Sequence, residues 1–124
     1  MTQEEKRLLL TDLCARLPYG VWGLHRGEDL PLYVIDNSGA YMVLGYNAWF
    51  NLETVPFKPY LRPMSSMTDK ERQSEPYMTS LDGYMDYDEA GGYVDWLLAH
   101  HFDYHGLIPM GLALEAPEDM YKTE

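Results

Sequence analysis

Disulfides and membrane-spanning segments are missing from this sequence. It has one cysteine, Cys14, so no intrachain disulfide can form and a reducing compartment fits best. No apolar run approaches the ~18–20 residues of a membrane span. Only three leucines follow the charged residues 1–7, which is too few for the apolar core of a signal peptide. We therefore expect a soluble, cytoplasmic protein without a membrane partner.

Positive charge is also scarce. The 124 residues include 9 Lys and Arg against 20 Asp and Glu, which gives a net charge of −11. Residues 1–62 carry 6 basic and 7 acidic side chains (net −1), whereas residues 63–124 carry 3 and 13 (net −10). Proteins that bind nucleic acids or anionic membranes do so largely by neutralising negative charge. The sequence therefore predicts no direct nucleic-acid binding by the acidic second half.

The motifs of common enzyme active sites are lacking as well. The chain has no Gly-x-Ser-x-Gly elbow, no glycine-rich run ending in Gly-Lys-Ser/Thr and no Gly-x-Gly-x-x-Gly. Cys14 lies on the apolar face predicted for the first helix, which favours a core position over a nucleophile. We expect no cofactor and no metal and identify no catalytic residue, so a binding protein is favoured over an enzyme.

The composition and the local sequence patterns indicate a folded α+β chain. Hydrophobic residues make up 46% and charged residues 23%, and the length fits a single domain over residues 1–124. Thr2 and Glu5 have the spacing of a capping box, which starts a helix over residues 3–16. The predicted apolar face of this helix is formed by Leu9, Leu10, Leu13, Cys14 and Leu17.

Residues 19–63 form a strand-rich region. Short runs rich in Val, Tyr, Trp and Phe, separated by turn residues, predict strands at 21–25, 30–35, 41–45 and 49–55. The surrounding prolines, at positions 56, 59 and 63, predict that residues 57–62 form an edge strand or an extended connection. These strands predict a small antiparallel meander or an SH3-like, partly open barrel, with an open sheet covered by the first helix as the alternative.

Residues 68–124 are predicted as an acidic helical region. Thr68 and Glu71 form a second capping-box pattern at the start of a short helix. A further helix is predicted from about residue 88 to Gly106, which would end it in the left-handed conformation. Residues 107–111 are predicted as a turn and residues 112–115 as a possible last strand.

Four segments of the chain carry a resemblance. They are LTDLCARLPYGV at residues 10–21, KPYLRPMSSMT at 58–68, DWLLAHHFDYHGLI at 95–108 and GLALEAP at 111–117. They resemble uncharacterised small proteins carried by phages and prophages of gut anaerobic bacteria. The resemblance implies an intracellular accessory protein that acts on host or phage machinery, and it carries over no catalytic residue.

The tyrosines point to a binding surface. The chain has 11 Tyr against 3 Phe, and several tyrosines alternate with acidic residues between positions 75 and 95. Tyrosine supplies a large contact area at low entropic cost and is enriched at interfaces. We therefore predict a non-enzymatic interaction protein that binds a basic protein partner through a surface, here called the acidic aromatic surface, formed by Tyr77, Tyr84, Asp86, Tyr87, Asp88 and Tyr93.

A histidine cluster supports the alternative of a metal-dependent or acid/base enzyme. His100, His101 and His105 lie close together in the chain, and the last two have the i, i+4 spacing of helical zinc sites. Histidines in a last helical turn are also stabilised by the helix dipole without any metal. A small structural component of a phage particle is a third possibility, and the sequence leaves the oligomeric state open.

Overall fold

The protein is described by a computed structural model, which covers residues 1–74, 87–117 and 120–121. Its helices are α1 (Gln3–Arg16), α2 (Asp69–Ser74) and α3 (Tyr87–Ala99). Its strands are β1 (Trp22–His25), β2 (Glu28–Ile35), β3 (Ala40–Val43), β4 (Phe50–Asn51), β5 (Phe57–Leu61) and β6 (Leu114–Glu115). These elements confirm the predicted α+β class and first helix. Among the described residues, no helix is long and apolar enough to cross a membrane.

The described strands form one six-stranded sheet in the order β4-β3-β2-β1-β5-β6. Neighbouring strands are antiparallel except for β5 and β6, which run parallel. Because β4 and β6 lie at opposite edges without pairing to each other, the sheet is open and not a closed barrel. β1 to β4 pair in chain order, which confirms the predicted antiparallel meander, and the sheet is the open one named as the alternative to a barrel.

A two-residue turn connects β1 to β2. His25 pairs directly with Glu28, and the residues between them, Arg26 and Gly27, have φ angles of 51° and 83°. Two successive positive φ angles define a type I′ turn, whose twist matches that of the hairpin strands. Glycine adopts such angles freely, whereas arginine does so only at a cost in free energy.

The prediction that residues 57–62 form an edge was wrong, because β5 lies between β1 and β6. The Leu61 carbonyl accepts a hydrogen bond from the Ala116 N–H, so the backbone polar groups of Leu61 point toward β6. Those of Pro59, two residues earlier in the strand, point toward the same side. Since β6 begins only opposite Tyr60, no strand requires the N–H that proline lacks. An internal strand thus accommodates this proline without a lost hydrogen bond.

The strand predicted at residues 49–55 is reduced to Phe50–Asn51. The Asn51 side-chain oxygen accepts from the Glu53 N–H at 2.9 Å, and its carbonyl accepts from the Val55 N–H at 2.8 Å. Asparagine commonly starts turns by such local bonds. The chain therefore turns immediately after Asn51 and returns toward β5.

The main core lies between α1 and one face of the sheet, here called the inner face. Its buried members are Leu9, Leu13, Val21, Leu32, Tyr41, Val43, Leu52, Phe57, Leu61, Leu107, Leu112 and Ala113. The prediction of a core position for Cys14 was wrong, because its side chain is exposed. The buried side of α1 instead includes Asp12 and Arg16 beside the leucines, so polar residues form part of the face that the leucine spacing predicted as apolar.

The end of α3 also differs from the prediction. The helix ends at Ala99, and His101, not Gly106, is the left-handed residue that closes it, with φ 67°. The His101 N–H donates to the Leu98 carbonyl and the Phe102 N–H to the Leu97 carbonyl, which is a Schellman motif. Leu97 and Phe102 also pack together with Met67 in a second buried cluster. This hydrophobic contact across the motif explains why the helix ends before its glycine.

Candidate functional site

Most of the predicted acidic aromatic surface lies outside the described residues. Tyr77, Tyr84 and Asp86 belong to residues 75–86, which are not described, while Tyr87 and Asp88 are the first residues of α3. Tyr93 is half-buried and packs against the cluster of Met67, Leu97 and Phe102. The composition of this surface therefore stays a prediction, with Tyr93 the member whose side-chain environment is described.

The three clustered histidines have different partners. The His100 ring stacks on Trp96 at 4.2 Å between centroids, and its Nδ1 donates to the Trp96 carbonyl at 2.9 Å. The His101 ring stacks on Tyr121 at 3.7 Å, and its Nδ1 is buried without a hydrogen-bond partner. Burial, together with the cations of nearby side chains, lowers the pKa of His101 to about 4. Within residues 1–74, 87–117 and 120–121, no group of three or more His, Cys, Asp or Glu side chains is arranged to hold a metal ion.

His105 instead joins a buried polar network with α1. Its Nδ1 donates to Asp12 Oδ2 at 2.7 Å, across 93 positions in sequence. Arg16 donates from Nε to Asp12 Oδ1 at 2.5 Å and from Nη2 to the Phe102 carbonyl at 2.5 Å. The side chains of Asp12 and Arg16 have no solvent exposure. The Asp12 carboxylate therefore connects α1 to the segment that follows α3.

The Asp12–His105 pair has the geometry of a carboxylate that orients an imidazole. The bond to Asp12 keeps the proton on Nδ1 and leaves Nε2 for proton transfer, as in acid/base pairs of enzymes. Among the described residues, no hydroxyl or thiol is hydrogen-bonded to His105. Sequence reasoning missed Asp12 and Arg16. The available signal was their i, i+4 spacing beside Leu9 and Leu13.

The fourth histidine of the chain, His25, is buried on the inner face of the sheet. Tyr41 donates its hydroxyl proton to the Val55 carbonyl at 2.7 Å, so His25 Nδ1, 3.0 Å from the same hydroxyl, must act as the donor. Nε2 of His25 is buried without a partner. Burial, followed by the nearby Arg26 cation, lowers the pKa of His25, which matches a neutral ring. The Phe50 ring lies 4.5 Å away between centroids, and this histidine is therefore a core residue.

A cavity of about 500 Å³ opens on the other side of the sheet, here called the outer face. It is lined by Leu24, Arg26, Gly27, Thr54, Val55, Pro56, Lys58 and Leu114. Leu24 and Lys58 are direct cross-strand neighbours on β1 and β5, and each alternates with residues of the inner core. Its described lining includes Arg26 and Lys58 and no carboxylate. The Arg26 guanidinium itself lies 6.0 Å from the centre of the Phe50 ring, which packs against His25.

No protein-family model matches the chain, and neither the curated proteins nor the solved structures contain a match to it.

Proposed function

We propose that the protein is a non-enzymatic interaction protein whose acidic aromatic surface binds a partner with a basic surface. The observation that carries the proposal is that the arginines that contact the acidic half already have carboxylate partners. Arg62 donates from Nη1 and Nη2 to the two oxygens of Glu71, each at 2.6 Å, and its guanidinium lies over the Phe102 ring. Arg16 is buried against Asp12. Neither cation is left to neutralise the remaining acidic residues.

The charge of residues 63–124 supports long-range attraction of a basic partner. This half carries 3 basic against 13 acidic side chains, and Asp69, Asp95 and Glu115 are exposed to solvent. Such an excess raises the rate of encounter with a cationic protein and makes binding sensitive to salt. Electrostatic attraction explains the encounter, while the tyrosines would supply the contact area.

The packing of α3 supports the placement of this surface. Leu97 and Leu98 are buried, so the C-terminal part of α3 is anchored to the rest of the fold. Tyr87 and Asp88 begin the same helix and follow directly after Tyr84 and Asp86 in the chain. A helix held at one end gives the residues near its start a fixed attachment point, which lowers the entropy lost on binding.

The test is an affinity capture with matched tyrosine variants. Immobilised wild type is compared with the double variant Tyr84→Ser/Tyr87→Ser and with the control Tyr33→Ser/Tyr104→Ser, which removes two exposed tyrosines elsewhere. We expect a basic protein to be retained by wild type and by the control at about 50 mM salt, and to be lost at about 500 mM. The proposal is contradicted if the Tyr84→Ser/Tyr87→Ser variant retains as much of the basic protein as wild type does. It is also contradicted if the amount retained by wild type does not change with salt.

The resemblance to phage-carried proteins directs the choice of lysate. We propose that the partner belongs to bacterial host or phage machinery, so the capture uses a lysate of an anaerobic bacterium before and after phage induction. The competing role as a particle component predicts large assemblies of the purified chain. Light scattering that shows a monomer or small oligomer would favour the interaction protein.

A further inference from the structure

We propose that the outer face of the sheet is a homodimer interface, which packs against the outer face of a second copy of the chain. Three of its large apolar side chains are exposed: Tyr33 to 64%, Leu44 to 57% and Trp22 to 39%. An antiparallel sheet with one solvated face normally presents polar residues on that face. An apolar face that stays exposed instead marks an interaction surface. The inference does not depend on the proposed function.

The strand register shows that this apolar character extends across the sheet. Trp22 pairs with Pro31, and Leu44, which follows the buried Val43, donates its N–H to the Pro31 carbonyl. Tyr33 lies at the register shift of β2. The apolar residues of the outer face, which alternate with residues of the inner core, are Trp22, Leu24, Pro31, Tyr33, Val34, Met42, Leu44, Tyr60 and Leu114. The inner face is covered by α1, whereas the described helices leave this one open.

The size of the outer face fits a weak, reversible dimer. Its three exposed side chains present about 350 Å², and the six half-buried ones add about 200 Å². Two such faces together would bury about 1,100 Å², which is at the lower end of specific interfaces. We therefore expect dissociation at micromolar concentrations.

The charges of the outer face favour a second copy as its occupant. Asp29 and Lys58 are the cross-strand neighbours of Leu24 on its two sides, so they lie level with each other and about 10 Å apart. A two-fold axis that runs along β1 between two packed sheets would place Asp29 of one copy over Lys58 of the other. The same rotation exchanges β3 with β6 and brings Leu44 toward Leu114 of the second copy. The face is thus complementary to itself, as a two-fold contact requires.

Both charged groups are able to form this pair. Lys58 has no carboxylate partner among the described residues. Asp29 accepts the Tyr60 hydroxyl on Oδ1 at 2.6 Å, and a carboxylate can accept several further hydrogen bonds. Residues 1–62 carry 6 basic and 7 acidic side chains, so this part of two copies meets with little repulsion. Contact through residues 63–124, with 3 basic and 13 acidic side chains, is strongly disfavoured.

Sedimentation velocity between about 10 µM and 1 mM tests the dimer on the full chain. Leu44→Lys should raise the dissociation constant at least tenfold, because a two-fold interface loses the same apolar contact twice. Met110→Lys is the matched control. Met110 is 42% exposed and lines a groove beside Leu9 of α1, away from the outer face. Both variants reduce the net charge of −11 by one, so added repulsion does not explain a difference, and the control should stay within about twofold of wild type.

A mixing experiment tests the two-fold arrangement itself. Lys58→Glu places two carboxylates opposite each other, and Asp29→Lys places two ammonium groups there, so each variant alone should dissociate more readily than wild type. An equimolar mixture restores opposite charges at both contacts and should associate more tightly than either variant alone. Asp29 and Leu44 are exposed, so these variants should keep Tm within a few degrees of wild type, which separates loss of the dimer from loss of folding.

Four results would each overturn the proposal. The first is a wild type that stays monomeric up to about 1 mM, which would assign the outer face to a different occupant. The second is an equal effect of Leu44→Lys and Met110→Lys. The third is a mixture of Lys58→Glu and Asp29→Lys that associates no better than the separate variants. The last is an assembly that keeps growing with concentration, because a two-fold contact closes at two copies.

Discussion

Replacing Asp12 with alanine tests the most deeply buried polar feature of the fold. The substitution leaves the Arg16 guanidinium without a counter-charge at a position that has no solvent exposure. It also removes the acceptor of the His105 Nδ1 proton. Breaking a buried ion pair by removing one partner costs about 3–5 kcal/mol, because an uncompensated charge remains inside the protein. Total stabilities of small domains are about 5–15 kcal/mol, so this variant should lose a large part of its stability.

Urea unfolding followed by tryptophan fluorescence measures the loss. Trp96 is a suitable reporter because its ring stacks on Phe102, whose carbonyl accepts the Arg16 bond. The control is Glu53→Ala, which removes the same type of charge from an ion pair whose carboxylate is 59% exposed. We expect the control to cost less than about 1 kcal/mol.

A double substitution distinguishes the cost of an unpaired charge from the net value of the pair. In Asp12→Val/Arg16→Met both charges are replaced by apolar side chains whose combined volume is close to that of the pair. Such replacements of buried pairs are commonly neutral or stabilising, so we expect a stability within about 1–2 kcal/mol of wild type or above it. The reasoning is refuted if Asp12→Ala costs less than about 1 kcal/mol. It is equally refuted if the double variant is as unstable as the single one.

Three further predictions concern acid stability and packing, and all are measured by chemical denaturation. Hydrogen bonds from Arg62 hold the pKa of Glu71 at about 2, against 4.5 when unperturbed. Glu71→Gln should therefore cost on the order of 2 kcal/mol at neutral pH, and the difference should vanish as the pH falls from 4.5 toward 2. Burial lowers the pKa of His101 from 6.5 to about 4, so wild type should lose stability as the pH falls through that interval, and His101→Gly should flatten this slope. Gly23→Ala should cost about 1–3 kcal/mol, because the Phe57 ring lies where the new methyl group would be.

Local signals in the sequence predicted those parts of the fold that depend on neighbouring residues. The Thr2–Glu5 capping box is formed in both directions, with bonds of 2.8 and 3.0 Å, and α1 spans the predicted residues. The second capping box is also formed, with the Glu71 N–H donating to Thr68 Oγ1 at 3.1 Å. These contacts span three residues, so the spacing of residue types is sufficient to recognise them.

Features that depend on distant residues were not predictable in the same way. The Asp12–His105 bond joins positions 93 apart, and nothing in either segment specifies the other. Gly106 is the expected residue for a helix end, but the contact between Leu97 and Phe102 selects His101. The histidine spacing suggested a shared site because a continuous helix was assumed. Once the helix ends at Ala99, the imidazoles no longer follow helical periodicity.

The six cations of the first half fall into two groups with different physical consequences. Lys6, Arg16 and Arg62 are each paired with a carboxylate, so they contribute little to the field outside the protein. Arg7, Arg26 and Lys58 have no carboxylate partner among the described residues. Residues 1–62 carry 6 basic and 7 acidic side chains, so the first half stays close to neutral and the field of the chain comes mainly from residues 63–124, with 3 basic and 13 acidic side chains. Added salt screens the attraction between this acidic half and a basic protein and should slow their association. An association rate that stays the same between about 50 and 500 mM salt would contradict an electrostatic encounter.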